Sequence, residues 1–358
     1  MRDVVTHLDD WTAAGQRSAT ATVVAVKRSA PRPPGAKMAV AADGTVQGMV
    51  SGGCVEGAVV RVAEEVLGGA APRLLHYGIA DEEAWEVGLP CGGEIGVWVD
   101  RVEGEPMQRF QALAREDGRG ALVTRLDDGQ KLLVEVDGTR TGTLGTPELD
   151  AAATAAADEL MWAEQSAQRE VDGVPLFVDA TAPAPRLLII GAVDLAGALC
   201  RVARVMGWVP SVADPRGRFA TAERFPEAEH VIAAWPEKAF AQLGAIDRST
   251  AVAILTHDPK IDDPALEIAL RSDAGYVGAM GSRRMQADRA ARLLERGLTE
   301  DELERMAAPI GLDLGALTVE ETALSVMAEI VALRRGRTGG RLKDAVGRIH
   351  EVKEVVDA

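Results

Sequence analysis

The first 180 residues of the chain contain one pattern of apolar and polar positions twice. Residues 37–48 resemble residues 131–142 at a constant offset of 94 positions, without a gap. In each copy, short runs of mostly apolar residues flank an Asp-Gly pair, which predicts a β-hairpin with a tight turn. A duplicated hairpin is favoured, and coincidental likeness is the alternative. We therefore predict an α+β domain over residues 1–180, with two related halves at about 1–100 and 101–180.

A helix is expected after each hairpin. Residues 55–67 place apolar side chains at helical spacing and charged side chains on the opposite face. In the second copy, Thr146 is a typical N-cap and Pro147 suits the first helical position. An alanine-rich helix is therefore expected to run to about Trp162.

After a proline-rich join at residues 181–185, short apolar runs alternate with helical ones. The predicted strands are 186–190, 209–213, 230–233, 251–256 and 275–279, and the predicted helices are 195–206, 285–295, 300–306 and 319–333. Because such alternation is typical of a doubly wound parallel sheet, residues 183–336 are predicted to form a Rossmann-like α/β domain. Residues 337–358 are expected to form a helical tail that docks on the protein or pairs chains.

Composition is that of a soluble globular protein, with 47% hydrophobic and 26% charged residues in a chain of 358. The net charge of −16 argues against nucleic-acid binding, which relies on clustered Lys and Arg. No apolar run is long enough to cross a bilayer, the first residues are not typical of a signal peptide, and three cysteines fit a reducing compartment. We expect a cytoplasmic protein without a membrane or nucleic-acid partner.

The loop after the first strand of the second domain is an imperfect dinucleotide fingerprint. Gly191 is present, but Val193 stands where a second glycine normally lets the backbone approach a pyrophosphate. Asp214 ends the second strand, where it would either accept a ribose hydroxyl or cap the turn before Pro215. NAD(P) is therefore not an expected cofactor, although a phosphate can still bind at the helix N-terminus in a shifted position.

Two further polar segments follow predicted strands, at the edge where ligands bind in parallel sheets. In residues 256–260 (Thr-His-Asp-Pro-Lys), His257 is either a donor or acid–base group, or a residue that fixes a local turn. In the second segment Gly281, Ser282 and Arg283 combine a glycine, a hydroxyl N-cap and a cation, which suits a phosphate or a phosphate-bearing pterin. The alternative is an ordinary strand-to-helix turn whose arginines face solvent.

Two of the three cysteines lie in glycine-rich segments. Cys54 follows Gly52 and Gly53, and Cys91 precedes Gly92 and a further glycine. Because glycines let the backbone turn tightly and approach a ligand closely, both segments are candidates for handling a large ligand or a sulfur atom. Ordinary packing beside glycine turns is the alternative.

Cys54 is predicted to lie in the first turn of its helix. A shift by 94 positions carries it to Glu148, just inside the second predicted helix. Backbone amides at such a position would stabilise the thiolate form of the side chain. No metal site is expected, since the chain has no Cys-x-x-Cys pair and its five histidines are scattered.

Together these segments resemble the XdhC/CoxI family, the accessory proteins of xanthine dehydrogenase and carbon-monoxide dehydrogenase. The matching segments, which occur in order in both domains, are residues 34–38, 51–56, 91–93, 256–260, 278–284 and 309–313. The chain departs from many family members at Val193, where they have glycine. The resemblance implies a chaperone that binds the molybdenum cofactor (molybdopterin) as cargo, protects it during sulfuration and inserts it into a dehydrogenase.

The resemblance also implies roles for particular residues and partners. Cys54 and Cys91 are the expected sulfur-handling residues, and His257 is a further catalytic candidate. The residues expected to contact one shared cofactor are Gly52, Gly53, Cys54, Cys91, Gly92, Gly191, Asp214, Gly281, Ser282 and Arg283. The expected partners are a molybdoenzyme of the xanthine dehydrogenase type, a cysteine desulfurase and a second copy of the chain.

Three other functions stay open at this point. The chain could be a component of a xanthine dehydrogenase system, although three cysteines are too few for the iron–sulfur clusters of the complete enzyme. It could be an NAD(P)-binding oxidoreductase built on the second domain. It could also be a docking protein without catalytic activity. The sequence therefore leaves open whether the chain is itself an enzyme.

Overall fold

Two units of structure divide the chain between Pro183 and Ala184. The computed structural model describes residues 1–28, 30–78 and 93–345. Within those residues, no helix is both long enough and apolar enough to span a bilayer.

The first unit repeats one topology. Its elements are α1 (Val5–Ala13), β1 (Ser18–Lys27), β2 (Lys37–Ala41), β3 (Val46–Gly48), α2 (Glu56–Leu67), β4 (Arg73–Tyr77), β5 (Glu94–Arg101), α3 (Glu105–Arg115), β6 (Gly120–Arg125), β7 (Lys131–Glu135), β8 (Arg140–Gly142), α4 (Pro147–Ala163), β9 (Ala167–Val171) and β10 (Val174–Thr181). They form two antiparallel sheets with the orders β3-β2-β1-β5-β4 and β8-β7-β6-β10-β9. The identical orders confirm the predicted hairpin–helix duplication.

The two hairpin turns are built alike. The carboxylate of Asp43 accepts a hydrogen bond from the amide of Thr45 at 2.9 Å, and Asp137 accepts one from Thr139 at the same distance. The glycine after each aspartate has a φ near +85°, at 87° and 84°, which an L side chain rarely adopts. The Asp-Gly pair therefore determines each turn locally, as the sequence predicts.

The two halves of the first unit exchange buried ion pairs. The Lys37 Nζ lies 2.7 Å from an Asp179 carboxylate oxygen, and the Lys131 ammonium contacts Asp100. Lys37 and Lys131 are equivalent by the offset of 94, and the two aspartates occupy equivalent positions on β5 and β10. Each lysine therefore pairs with the aspartate of the other half.

The second unit is a parallel sheet between helices. Its elements are β11 (Arg186–Ile190), α5 (Asp194–Val205), β12 (Val209–Ala213), β13 (His230–Ile232), α6 (Pro236–Leu243), β14 (Thr250–Ile254), α7 (Pro259–Arg271), β15 (Tyr276–Ala279), α8 (Arg283–Glu295), α9 (Glu300–Glu304), β16 (Met306–Ala307) and α10 (Val319–Arg334). The strand order is β13-β12-β11-β14-β15-β16, with every pair parallel. This is the doubly wound order of a Rossmann-type fold, which confirms the predicted architecture.

Alternation along β11 explains why helices cover both faces of this sheet. Leu187 and Ile189 enter one apolar core, which includes Met327 of α10. Leu188 and Ile190 enter the other core, which includes Leu266 of α7. Successive strand residues point to opposite faces, so an uninterrupted apolar run needs a cover on each side.

One sequence prediction near the end of the chain needs correction, and another is not tested. The helix predicted over 300–306 ends at Glu304, and Met306 instead pairs with Val277 as the sheet gains a sixth strand. Pairing with β15 outweighs the local helical pattern there. Of the predicted helical tail, the structure describes one 3-10 turn, Leu342–Asp344, and the tail from residue 346 onward lies outside the described residues.

Candidate functional site

Cys54 lies before its helix, not inside it. Helix α2 begins at Glu56 with Val55 as its N-cap, whereas α4 in the second half begins three equivalent positions earlier, at Pro147. The prediction that Cys54 lies in the first helical turn was therefore wrong. The reason is local, because Gly52 and Gly53 have φ values of 82° and 114°, which a helix cannot include.

The glycines preceding Cys54 curl the backbone around the carboxylate of Glu56. This carboxylate accepts the Ser51 hydroxyl at 2.6 Å. It also accepts five backbone amides at 2.8–3.2 Å, those of Val50, Ser51, Gly52, Gly53 and Val55. The amides that were expected to face the Cys54 sulfur thus donate to a carboxylate of the same loop.

The Glu56 carboxylate is held in its charged form. Burial by itself would raise the pKa of Glu56, but the hydrogen bonds from the Ser51 hydroxyl and the neighbouring amides outweigh it and lower the pKa below its usual 4.5. The glycine-rich loop therefore surrounds a carboxylate of the chain itself, and the Gly52 and Gly53 amides already donate to it.

The Cys54 side chain is a free, half-buried thiol packed against the apolar core of the first half. Its amide donates to the Ser51 hydroxyl oxygen at 3.0 Å, which fixes the backbone that carries it. Cys200 is different, since it is fully buried in α5 and burial raises the pKa of its thiol to about 12. Of these two thiols, Cys54 is the one suited to chemistry.

The second half shows what the same scaffold looks like without a thiol. Asp150 occupies the position equivalent to Glu56 and accepts the Thr143 hydroxyl at 2.8 Å and the Leu144 amide at 2.7 Å. Glu148 stands where Cys54 would be. An acid in the first helical turn that binds the preceding loop is therefore common to both halves, whereas the cysteine and the glycine pair occur in the first half alone.

Cys91 and Gly92, the other predicted sulfur-handling segment, lie outside the described residues. Within residues 1–28, 30–78 and 93–345, no group of three or more His, Cys, Asp or Glu side chains is arranged to hold a metal ion.

In the second unit, Gly191 packs closely against Thr256, and Asp214 is held by hydrogen bonds. A Cβ on Gly191, whose φ is 119°, would lie 2.6 Å from the Thr256 Cγ2. Asp214 is fully buried and accepts the Ala192 amide at 2.8 Å and the Arg216 guanidinium at 2.6 and 2.9 Å. Burial tends to raise the pKa of Asp214, but these bonds lower it overall. They support the turn-capping interpretation, and a cofactor contact by Asp214 stays a prediction.

The other predicted residues of this unit follow two neighbouring strands. β14 and β15 are adjacent and parallel, so the loops after them meet at the carboxyl edge of the sheet. His257 is exposed in the first loop. In the second, Gly281 has a φ of 136° and the Ser282 hydroxyl caps α8 by accepting the Met285 amide at 3.4 Å. Arg283 is exposed in the first turn of that helix.

Two buried charged residues beneath these loops were missed from sequence. Asp262 of α7 and Arg289 of α8 are each 2% exposed, and an Arg289 Nη lies 3.1 Å from the Asp262 carboxylate. Burial raises the pKa of Asp262, despite the hydrogen bond from Thr256 and the charge of Arg289. The available signal was a charged residue at an apolar helical position, four residues before Leu266 in one case and four before Leu293 in the other.

Fold and loops together define a class of two-unit α/β proteins, in which a duplicated antiparallel unit carrying a glycine-flanked cysteine precedes a Rossmann-type unit. The chain belongs to the XdhC/CoxI family. Residues 11–78 match the model of the XdhC and CoxI family, and residues 187–330 match that of the XdhC Rossmann domain.

Named relatives extend over most of the chain. The molybdenum cofactor insertion chaperone PaoD of Escherichia coli is 30% identical over 89% of this chain and 84% of its own length. A Bacillus subtilis protein named as a probable xanthine dehydrogenase subunit is 28% identical over 92% of this chain and 97% of its own. A crystal structure of a xanthine dehydrogenase from Bacillus halodurans shares the fold, with a TM-score of 0.64 at 24% identity over 95% of this chain and 97% of its own.

Proposed function

We propose that this protein binds the molybdenum cofactor, protects it, assists its sulfuration and inserts it into a molybdoenzyme of the xanthine dehydrogenase type. Its relation to PaoD supports the insertion role. The observation that carries the sulfur-handling role is the contrast between the two halves of the first unit. Both have an acid in the first turn of the helix that binds the preceding loop, but the first half alone presents a half-buried thiol in that loop.

The chemistry of the cargo fits the side chains at hand. Molybdopterin carries a phosphate and a metal bound by soft sulfur ligands, so thiolates, cations and backbone amides are suitable contacts. Cys54 offers the thiol. The start of α8, with Ser282 at its cap and Arg283 in its first turn, offers amides and a cation to the phosphate.

A persulfide on Cys54, charged by a cysteine desulfurase, would supply the sulfur. A second thiol, supplied by Cys91 or by a small-molecule thiol in solution, attacks the inner sulfur on Cys54, forms a disulfide with it and releases the outer sulfur as hydrosulfide. The hydrosulfide then replaces an oxo ligand of the molybdenum, and that oxygen leaves as water. The two electrons that reduce the outer sulfur come from the pair of thiols, which are oxidised to the disulfide.

Anaerobic titration with released molybdenum cofactor tests the proposal. Given a cysteine desulfurase and cysteine as the source of sulfur, the wild-type chain should bind the cofactor and return it sulfurated to a demolybdo-dehydrogenase. Cys54→Ser should keep most of the binding and lose sulfuration, whereas Cys200→Ala, which removes the buried thiol, should keep both. Full sulfuration by Cys54→Ser would refute the sulfur role, and no binding by the wild type would refute the chaperone role.

The geometry around Asp214 predicts weak NAD(P) binding. Its carboxylate already accepts three N–H groups of Arg216 and one of Ala192, so a ribose hydroxyl has to displace an ion pair. We expect no change in NADH fluorescence at concentrations that saturate ordinary dehydrogenases. Tight NADH binding would instead favour an oxidoreductase.

We further propose that the protein acts as a homodimer, which sedimentation would test.

A further inference from the structure

We infer that the buried Asp262–Arg289 pair is a positioning device that holds the loops at the carboxyl edge of the parallel sheet in one arrangement. These loops include His257 and the start of α8, so the functional meaning of the inference rests on the proposed function. The structural part, that the pair fixes the loops, stands by itself.

The pair is linked outward to three loops. On one side, Asp262 accepts a hydrogen bond from the Thr256 hydroxyl, and Thr256 packs against Gly191. On the other side, Arg289 donates to the Gln286 side-chain oxygen at 2.5 Å, and the Gln286 amide group reaches the Met280 carbonyl at 3.5 Å. The chain of contacts thus joins the loops that follow β11, β14 and β15.

Stability alone does not account for this pair. Both side chains are 2% exposed, and removing two charges from water costs about as much as their attraction returns. The Arg289 Nε is buried and has no hydrogen-bond partner in the described part of the chain, which a pair selected for stability would avoid.

A separate ion pair, one residue further along α7, also joins α7 to α8. Arg292 binds both carboxylate oxygens of Asp263, at 2.8 and 3.0 Å, with the arginine partly exposed. Asp263 therefore ties the same two helices without reaching the loops. It is a matched control for Asp262, because it differs in what it touches and not in which helices it joins.

Thr256 is the link whose removal disturbs the fold least. A valine at this position keeps the shape of the side chain and both buried charges but removes the hydroxyl that binds Asp262. If Asp262→Asn fails to fold, Thr256→Val decides the question.

Hydrogen exchange of the full chain tests the inference. We expect Asp262→Asn and Thr256→Val to speed exchange of the Leu255, Met280 and Met285 amides, and to weaken binding of released molybdenum cofactor by about tenfold. Asp263→Asn should lower overall stability while leaving both the loop amides and the affinity as in the wild type.

The outcomes separate the inference from the function it serves. Unchanged loop exchange in Thr256→Val, or an equal change in Asp263→Asn, overturns the inference. Loosened loops with full cofactor affinity keep the structural part and overturn the functional part, because cofactor binding would then not depend on how the loops are positioned. If the wild type binds no cofactor and the loops still loosen selectively, the positioning role stands and the proposed function fails.

Discussion

At the scale of single residues, carboxylates organise both candidate sites. Glu56 gathers the amides of the glycine-rich loop before α2. At the edge of the parallel sheet, Asp214 accepts the Ala192 and Arg216 amides, and Asp262 accepts the Thr256 hydroxyl. A glycine-rich motif is easily interpreted as a cradle for an external anion. In this protein the amides of the glycine-rich loop bind the Glu56 carboxylate, which belongs to the chain itself.

Replacement of Glu56 by Gln should loosen this loop. The amide side chain has the same shape but lacks the charge that strengthens six hydrogen bonds, so we expect a loss of about 2 kcal/mol in the free energy of unfolding. Urea denaturation at pH 7 measures it. Asp150→Asn, which removes the two-bond counterpart in the second half, should cost less. An equal or smaller loss in Glu56→Gln would contradict the proposed role.

The loss of stability in Glu56→Gln should also depend on pH. The pKa of Glu56 is lowered by folding, so its contribution to stability is complete above pH 4.5 and is lost as the pH falls through the lowered value. The stability difference between wild type and Glu56→Gln should therefore be constant near neutrality and shrink in acid. A difference that grows on acidification would show that the sign is wrong.

At the scale of elements, the same hairpin leads to helices that start at different places. A threonine cap and Pro147 start α4 early, whereas two glycines with positive φ delay α2 and leave Cys54 in a loop. The delay exposes a cysteine that a strict copy would have placed in the helix. Both halves thus contain the helix, and the position at which it begins distinguishes the half with a candidate site from the half without one.

Gly191→Ala should be costly for two separate reasons. The φ of 119° strains any L residue by about 1–2 kcal/mol, and the new methyl would meet Thr256 at 2.6 Å, which adds roughly 1–3 kcal/mol of overpacking. Gly207→Ala is the control, since its φ of 76° carries strain but its Cβ meets nothing within 4 Å. Equal losses in thermal unfolding would show that the contact with Thr256 does not matter.

At the scale of the whole first unit, exchanged ion pairs join the two halves. The Lys37 side chain is 4% exposed, and its ammonium also donates to the Thr22 hydroxyl at 2.8 Å, so both of its partners lie inside the protein. The pairing of each lysine with the opposite aspartate means that neither half is complete alone. The two halves therefore form one structural unit.

Lys37→Met should destabilise this unit strongly. It leaves Asp179 buried without its lysine partner, which typically costs about 3–5 kcal/mol, so we expect a loss of about 4 kcal/mol in chemical denaturation. The double variant Lys37→Met, Asp179→Leu should recover most of the loss, because it removes both charges. Lys131→Met is expected to behave alike at the equivalent position. A loss below about 1 kcal/mol in both single variants would mean that water reaches these pairs.

Local signals in the sequence determined the hairpins with their Asp-Gly turns, the caps of α4, the alternation of strands and helices after residue 185, and the family. The turns, caps and elements depend on neighbouring residues, so local composition and period are enough to predict them, whereas the family is indicated by the resemblance of motifs that occur in order in both domains. Only the tertiary structure decided that Cys54 stands before its helix, that Glu56 fills the glycine loop, and that Met306 joins a strand. It also decided that Lys37 pairs with Asp179 and Asp262 with Arg289. The strand pairing and the ion pairs join groups distant in sequence, and a one-dimensional pattern does not name such partners. The start of α2 is a local choice, in which the Glu56 carboxylate and the helix compete for the same amides.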